Sequence, residues 1–270
     1  MKTLNRIYVA LIIVFLYAPI LVMMLFSFNS TVSTAVFSGF SLKWYGELFA
    51  KDEVAEAMKN TLFLAALSSV IATLLGTAAA VGISRMPRKW RSPMLTVTNI
   101  PMMNPDIVTG ISMMLLFVFV CVRLAGAASL SFVTVLIAHI TFNLPYVILN
   151  VMPKLKQMDA SLTDAAMDLG CTPWQAFFRV TLHEIMPGVV SGAIMAFTMS
   201  LDDFVISYFV TGLDFVTLPV EIYSYTKKPI QPKIYAMFTL LFLLIFVLMT
   251  AMNLMQVVAD RKKIADRKGH

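Results

Sequence analysis

Six apolar runs, Ile7–Phe28, Thr61–Ser84, Met94–Val122, Leu130–Met152, Gly188–Val210 and Ile234–Val258, punctuate the chain. Each is long enough to cross a bilayer, which takes about 20 residues of helix. In hydrocarbon every backbone polar group must be paired internally, so continuous runs of this kind are read as helices. They predict an all-α polytopic membrane protein with six transmembrane helices. Composition agrees: 59% of the residues are hydrophobic and 13% charged, against about 25% charged in soluble domains. The pI of 9.3 does not point to nucleic acid, because the basic residues lie in short clusters between the runs, where juxtamembrane charges belong. The first run follows Lys2 and Arg6 but is too long for a signal peptide and lacks a small-x-small site after it. Cys121 and Cys171 fall in different segments and suggest neither a disulfide framework nor a metal site.

Fourteen of the 21 Lys and Arg residues fall on one side of this topology. They are Lys2 and Arg6; Arg85, Arg88, Lys89 and Arg91; Lys154, Lys156 and Arg179; and Arg261, Lys262, Lys263, Arg267 and Lys268. Lys43, Lys51, Lys59, Arg123, Lys227, Lys228 and Lys233 fall on the other. The positive-inside rule then predicts that both termini are cytoplasmic.

Three acids lie inside the runs, Asp106 in the third and the adjacent Asp202 and Asp203 in the fifth. A membrane-embedded Asp costs roughly 2.5–3.5 kcal/mol on insertion scales, so such residues face water, a cation or a bonding partner. No Lys or Arg lies within the runs to pair with them, which points to an external cation. On a continuous helix neighbours point about 100° apart. Asp203 then shares a small, polar stripe with Ala196, Ser200, Ser207 and Thr211, and Asp202 a bulkier one with Met195, Thr198, Met199, Val205 and Phe209. Asp203 is therefore expected to be the more direct cation ligand and Asp202 the second. The competing reading is that each acid bonds to hydroxyls or caps a broken helix. Pro101 and Pro105 open the third run beside Asp106, where freed carbonyls are tolerated along a cavity. Trp44, Tyr208, Glu221 and Tyr223 extend the expected path outward as an acidic, aromatic entrance, with Trp44 alternatively an interfacial anchor. His139 is read as a buried hydrogen-bonding residue. Gly188-x-x-x-Gly192 and Gly76-x-x-x-Ala80 allow close helix packing.

The cytoplasmic stretch from Pro153 to Pro187 is apolar yet carries helix signals. Ser161 and Asp164 form an S-x-x-D capping box. Gly170 suits a left-handed C′ position, and Thr172-Pro173 restarts a helix with a hydroxyl cap and proline at N1. The stretch DAAMDLGCTPWQAFF resembles the EAA loop of the membrane subunits of type I ATP-binding-cassette importers. Asp164, Ala165, Ala166 and Gly170 match, with Asp in place of Glu, and Arg179 to Leu182 match the later part. His183 stands where that pattern has proline, so the end of the second helix is left open. SLKWY, NPDIV, FTMSLDDFVISYFVTG and LPVEIYS are similar, in order, to the PotC-type permeases of spermidine/putrescine importers.

The resemblance implies a MetI-like permease fold. Residues 1–56 would be a first helix and external segment, 57–258 the transporter core with a coupling loop at about 153–187, and 259–270 a basic tail. It implies a polyamine importer in which Asp164, Ala165, Ala166, Gly170, Trp174 and Phe177 dock on a cytoplasmic ATPase. Its partners would be a second homologous permease, two copies of the ATPase and a solute-binding protein. The chain has no G-x-x-x-x-G-K-[ST] phosphate loop, so ATP and magnesium are expected on the ATPase and no cofactor on this chain. Two rivals stand beside this: the same importer carrying another small organic solute, or a proton-coupled carrier using Asp106, Asp202 and His139. No nucleophile–base pair or metal-ligand set suggests an enzyme.

Overall fold

The computed structural model describes the backbone except at residues 1, 32, 34–35, 50–51, 127–129, 160, 213, 228–231 and 269–270. Side chains at 2–5, 49, 52, 124–125, 232–233, 252–253 and 255–268 also fall outside the described set. Among the charges used above for orientation, Lys2, Lys51, Lys228, Lys233 and the tail residues Arg261, Lys262, Lys263, Arg267 and Lys268 therefore lie outside the described side chains.

The helices in chain order are α1 (Lys2–Ser27), α2 (Lys43–Phe49), α3 (Asp52–Arg85), α4 (Arg88–Met103), α5 (Asp106–Ala125) and α6 (Phe132–Gln157). They continue as α7 (Ser161–Asp168), α8 (Pro173–Ala176), α9 (Leu182–Asp202), α10 (Val205–Val210), α11 (Leu218–Thr226) and α12 (Pro232–Lys268). Among the described residues six spans are long and apolar enough to cross a membrane, as expected. Two of the six expected runs are discontinuous. The third breaks at Asn104 and Pro105, both extended, giving α4 and α5. The fifth breaks at Asp203, which is extended, so α9 ends before α10 begins.

The chain forms two compact units, residues 1–59 with 217–248, and residues 60–216 with 249–270. The first has a core of Trp44, Leu48, Val54, Ala57, Leu218, Ile222, Ala236 and Met237. In the second, α6 is the central helix, and small residues on its neighbours let it approach both. A Cβ at Gly76 of α3 would lie 2.7 Å from Val147 Cβ, and one at Gly192 of α9 3.2 Å from Val147 Cα. Ala80, four residues after Gly76, is fully buried. Both small-residue spacings thus act as packing seams.

Gly188 faces backbone as well as side chain: a Cβ there would meet Asn150 O and Lys154 Cγ at 2.8 Å and Val151 Cα at 3.3 Å. Because backbone on α6 cannot yield, Gly188→Val is expected to destabilise the protein by about 1–3 kcal/mol through overpacking. Gly82, with nothing within 4 Å of its would-be Cβ, is the control. Gly82→Ala should be neutral or stabilising by up to about 1 kcal/mol. Thermal unfolding in detergent measures both; equal melting shifts would refute the seam.

Candidate functional site

The site grows from the break in the fifth span. SLDDF contains neither Pro nor Gly, so no such helix breaker accounts for the break. Asp203 makes it. Its carboxylate accepts from the backbone N–H of Ile206 (3.3 Å) and Ser207 (2.8 Å), two of the orphan donors at the start of α10. On its other side Oδ2 lies 3.5 Å from His139 Nε2. His139, on α6, is fully buried. Its Nδ1 contacts Ser200 Oγ at 2.8 Å and its Nε2 contacts Ser207 Oγ at 2.9 Å. Ser200 Oγ also accepts from Asn143 Nδ2 (3.0 Å) and meets Ser68 Oγ of α3 (2.7 Å).

This arrangement removes the continuous-helix stripe on which the expected order of the two aspartates rested. The stripe that made Asp203 pore-facing assumed a continuous helix, and the helix stops there. Asp203 is 10% exposed at the side chain and engaged within the chain as a cap and as the partner of His139. Asp202 is exposed. Their electrostatic settings are opposite. Asp203 sits at the N-terminus of α10, where the helix dipole favours an anion. Asp202 is the last residue of α9, where unpaired carbonyls and the negative dipole end disfavour one. A cation placed against Asp202 would relieve both. His139 is a buried hydrogen-bonding residue, as expected. That the acids have no basic neighbour holds for Lys and Arg in the sequence but overlooked this imidazole.

Asp106 opens α5 after Pro105 and is exposed. It lies in the first turn, where the dipole favours it. One turn further on, Gly110 packs on α10: a Cβ there would lie 3.5 Å from Ile206 Cα and Val205 O. The break before α5 and the break before α10 are thus neighbours, each carrying an exposed acid. Tyr208 of α10 is 40% exposed and its ring packs with Phe204 and Phe209.

The cytoplasmic segment forms two short helices around a glycine turn. Gly170 has φ +89°. Gly170 N–H donates to Met167 O (2.9 Å) and Cys171 N–H to Ala166 O (3.0 Å), the pairing of a Schellman motif. Thr172 caps α8 with Pro173 at N1, and Gln175 completes a reciprocal box that the sequence reading missed: its side chain accepts from Thr172 N–H at 2.9 Å. The expected Ser161–Asp164 box is replaced. Asp159 caps α7 instead, accepting from Ser161 N–H at 3.0 Å, and these hydrogen bonds hold its carboxyl below the usual range. Asp164 lines a cavity of about 580 Å³ with Arg85, Arg91 and Lys156. The second helix does not end at His183. A five-residue π-turn, Phe177–Thr181, carries α8 directly into α9, and Pro187 lies inside that helix. Ala166 is buried, and Ala165 is exposed beside it. Trp174 is 75% and Phe178 58% exposed, their rings stacked at 6.2 Å. Phe177 is half-buried under them.

Residues 72–264 match the family described as the inner membrane component of binding-protein-dependent transport systems. The chain belongs to this family. The permease is 40% identical over 84% of its length to the putrescine transport system permease protein PotI of Escherichia coli K12, covering 81% of that protein. It is 35% identical over 92% of its length to the spermidine/putrescine transport system permease protein PotC of the same organism, covering 91% of it. In fold it resembles a bacterial ABC transporter involved in import of the acidic polysaccharide alginate (TM-score 0.74, 15% identity, 94% and 95% of the two chains). It also resembles the MetNI methionine ABC transporter (TM-score 0.62, 18% identity, 81% and 99%). The permease is a multi-pass membrane transport subunit, not an enzyme.

Three expected path residues of the permease lie in its other unit. Trp44 is corrected: it is 6% exposed, in the core of that unit, with its indole N–H on Asn29 O at 2.6 Å. Its face is closed to a solute by packing. Tyr223 is exposed, but Lys227 Nζ already sits 4.8 Å from its ring centroid. Glu221 is half-buried near Tyr225. Burial, then Glu221 and Glu53, push the Tyr225 hydroxyl above its ordinary value. Tyr225 and Glu53 were not singled out from sequence.

Proposed function

We propose that this chain is the polyamine-translocating permease of an ATP-driven importer. It would form half of the path beside a second homologous permease, receive cargo from a solute-binding protein, and be driven by two copies of a cytoplasmic ATPase that hold ATP and magnesium. Both termini face the cytoplasm in this reading. The observation that carries it is Asp202, an exposed carboxylate at the negative end of a broken membrane helix, in a chain similar to putrescine and spermidine permeases. Asp106 at the neighbouring break supplies a second carboxylate. A polyamine carries ammonium groups at intervals, so spaced acids and aromatic rings such as Tyr208 suit it. The segment holding Asp164, Ala165, Ala166, Gly170, Trp174 and Phe177 is the ATPase-docking element.

The test is uptake of radiolabelled putrescine and spermidine by the whole transporter in proteoliposomes. ATP-dependent uptake that unlabelled polyamine suppresses and neutral amino acids do not is the expected result. Uptake that needs a proton gradient and no ATP would instead favour a coupled carrier. No polyamine uptake beside intact ATPase assembly would leave the importer and remove the cargo.

A further inference from the structure

We propose that His139 is a positioning residue for cargo passage, a staple across the break in the fifth span that ties α10, with its cap Asp203, to α6 and α9 and leaves Asp202 as the carboxylate the chain presents. The cargo part of this inference rests on the polyamine reading; the geometric part does not.

One imidazole touches both sides of the discontinuity. Nδ1 bonds Ser200, before the break, and Nε2 bonds Ser207, after it. In an unbroken helix these serines would stand about 10.5 Å apart along the axis; the break is what brings them to one ring. The hydrogens around the ring can be assigned with Ser68 donating to Ser200 (2.7 Å) in place of its longer contact with Ala65 O (3.3 Å). Ser200 Oγ accepts from the Asn143 amide, so its contacts with Ser68 and Nδ1 need one donor and one acceptor, which a hydroxyl supplies. An ionised Asp203 only accepts, so Nε2 carries the hydrogen on its side and Ser207 relays it. The chain of bonds then runs unbroken from α3 through α6 to α10.

The positional consequence follows from what removal would leave. Without the imidazole, the buried Ser200 and Ser207 side chains each lose a partner, and Asp203 loses the ring it faces while keeping its bonds within α10. The tie between α10 and α6 is then lost, and the register of residues 202 and 203 at the break is no longer fixed. The ring faces one charged group, Asp203; its other described neighbours, Ser200, Ser207 and Phe142, carry none.

The experiment uses the assembled transporter in proteoliposomes with Cys121 and Cys171 replaced by serine. Asp202→Cys reports the presentation of position 202 through its reaction with a small cationic thiosulfonate, independently of cargo. Position 202 should react with His139 present, at least tenfold more slowly in His139→Leu, and within threefold of the starting rate in His139→Gln, whose amide can bridge both hydroxyls. In chains retaining Asp202, His139→Leu should raise the half-saturating putrescine concentration at least tenfold, and His139→Gln should restore it. A position 202 that does not react with His139 present, or reacts equally with and without it, overturns the proposal. So does a His139→Leu transporter that loses maximal rate alone. Absence of putrescine uptake in the unsubstituted transporter overturns the cargo reading while the thiol reaction still decides the staple. Should His139→Leu not assemble, Ser207→Ala removes only the α10 side and carries the same two expectations.

Discussion

Asp202→Asn is expected to lower polyamine uptake at sub-saturating concentration by about 30-fold or more while leaving the melting temperature of the transporter unchanged. Removing one partner of a desolvated charge pair costs about 2–5 kcal/mol, and each 1.36 kcal/mol is a factor of ten. The side chain is exposed, so the fold loses little; the dipole end of α9 even favours the neutral amide. Asp203→Ala should show the opposite pattern. It removes a cap bonded to two backbone N–H groups, worth about 0.5–2 kcal/mol, and strands buried His139, so melting temperature falls with transport. Initial rates over a putrescine series, beside thermal melts of both variants, separate the two. If Asp203→Asn abolished uptake at constant stability and Asp202→Asn did nothing, the assignment would return to Asp203.

The contrast between these adjacent acids marks where sequence reading stops. Period and composition place six spans because a bilayer reads length and hydropathy, and those are local properties. Gly170, Thr172 and Pro173 are legible for the same reason: each acts on backbone within a few residues. The break before α5 is signalled by Pro101 and Pro105. The break at Asp203 has no such signal, since it is stabilised by a histidine on α6, far away in sequence. Helical-wheel geometry cannot be carried through an unmarked break, so the stripes drawn for the two aspartates do not hold. Trp44 fails for a related reason: an amphipathic segment shows that one face is buried, not whether protein or membrane buries it. At His183 the absent proline could not reveal that a π-turn would absorb the register and run α8 into α9.

Trp174→Asp is expected to abolish uptake by separating the permease from its ATPase, with the membrane core intact. Trp174 is 75% exposed and stacked on Phe178, and Leu169 beside it is 87% exposed. An ordered apolar surface of this kind, shaped by a Schellman turn and a reciprocal cap, marks an interaction site. Aromatic anchors dominate such contacts, with truncation costing about 2 kcal/mol or more, or about 30-fold in association. A charge at 174 adds desolvation to that loss. Co-purification of the ATPase should fall at least 30-fold for Trp174→Asp and less for Trp174→Tyr, which keeps a stacked ring. Because substitutions at exposed sites away from special features usually change stability by under about 0.5 kcal/mol, thermal melting of the isolated permease should not move. The π-turn gives the contact its reach, since a force on Trp174 passes along one uninterrupted helical path to Asp202. A Trp174→Asp permease that binds ATPase normally and transports normally would move the docking surface elsewhere and remove the mechanical link between these two residues.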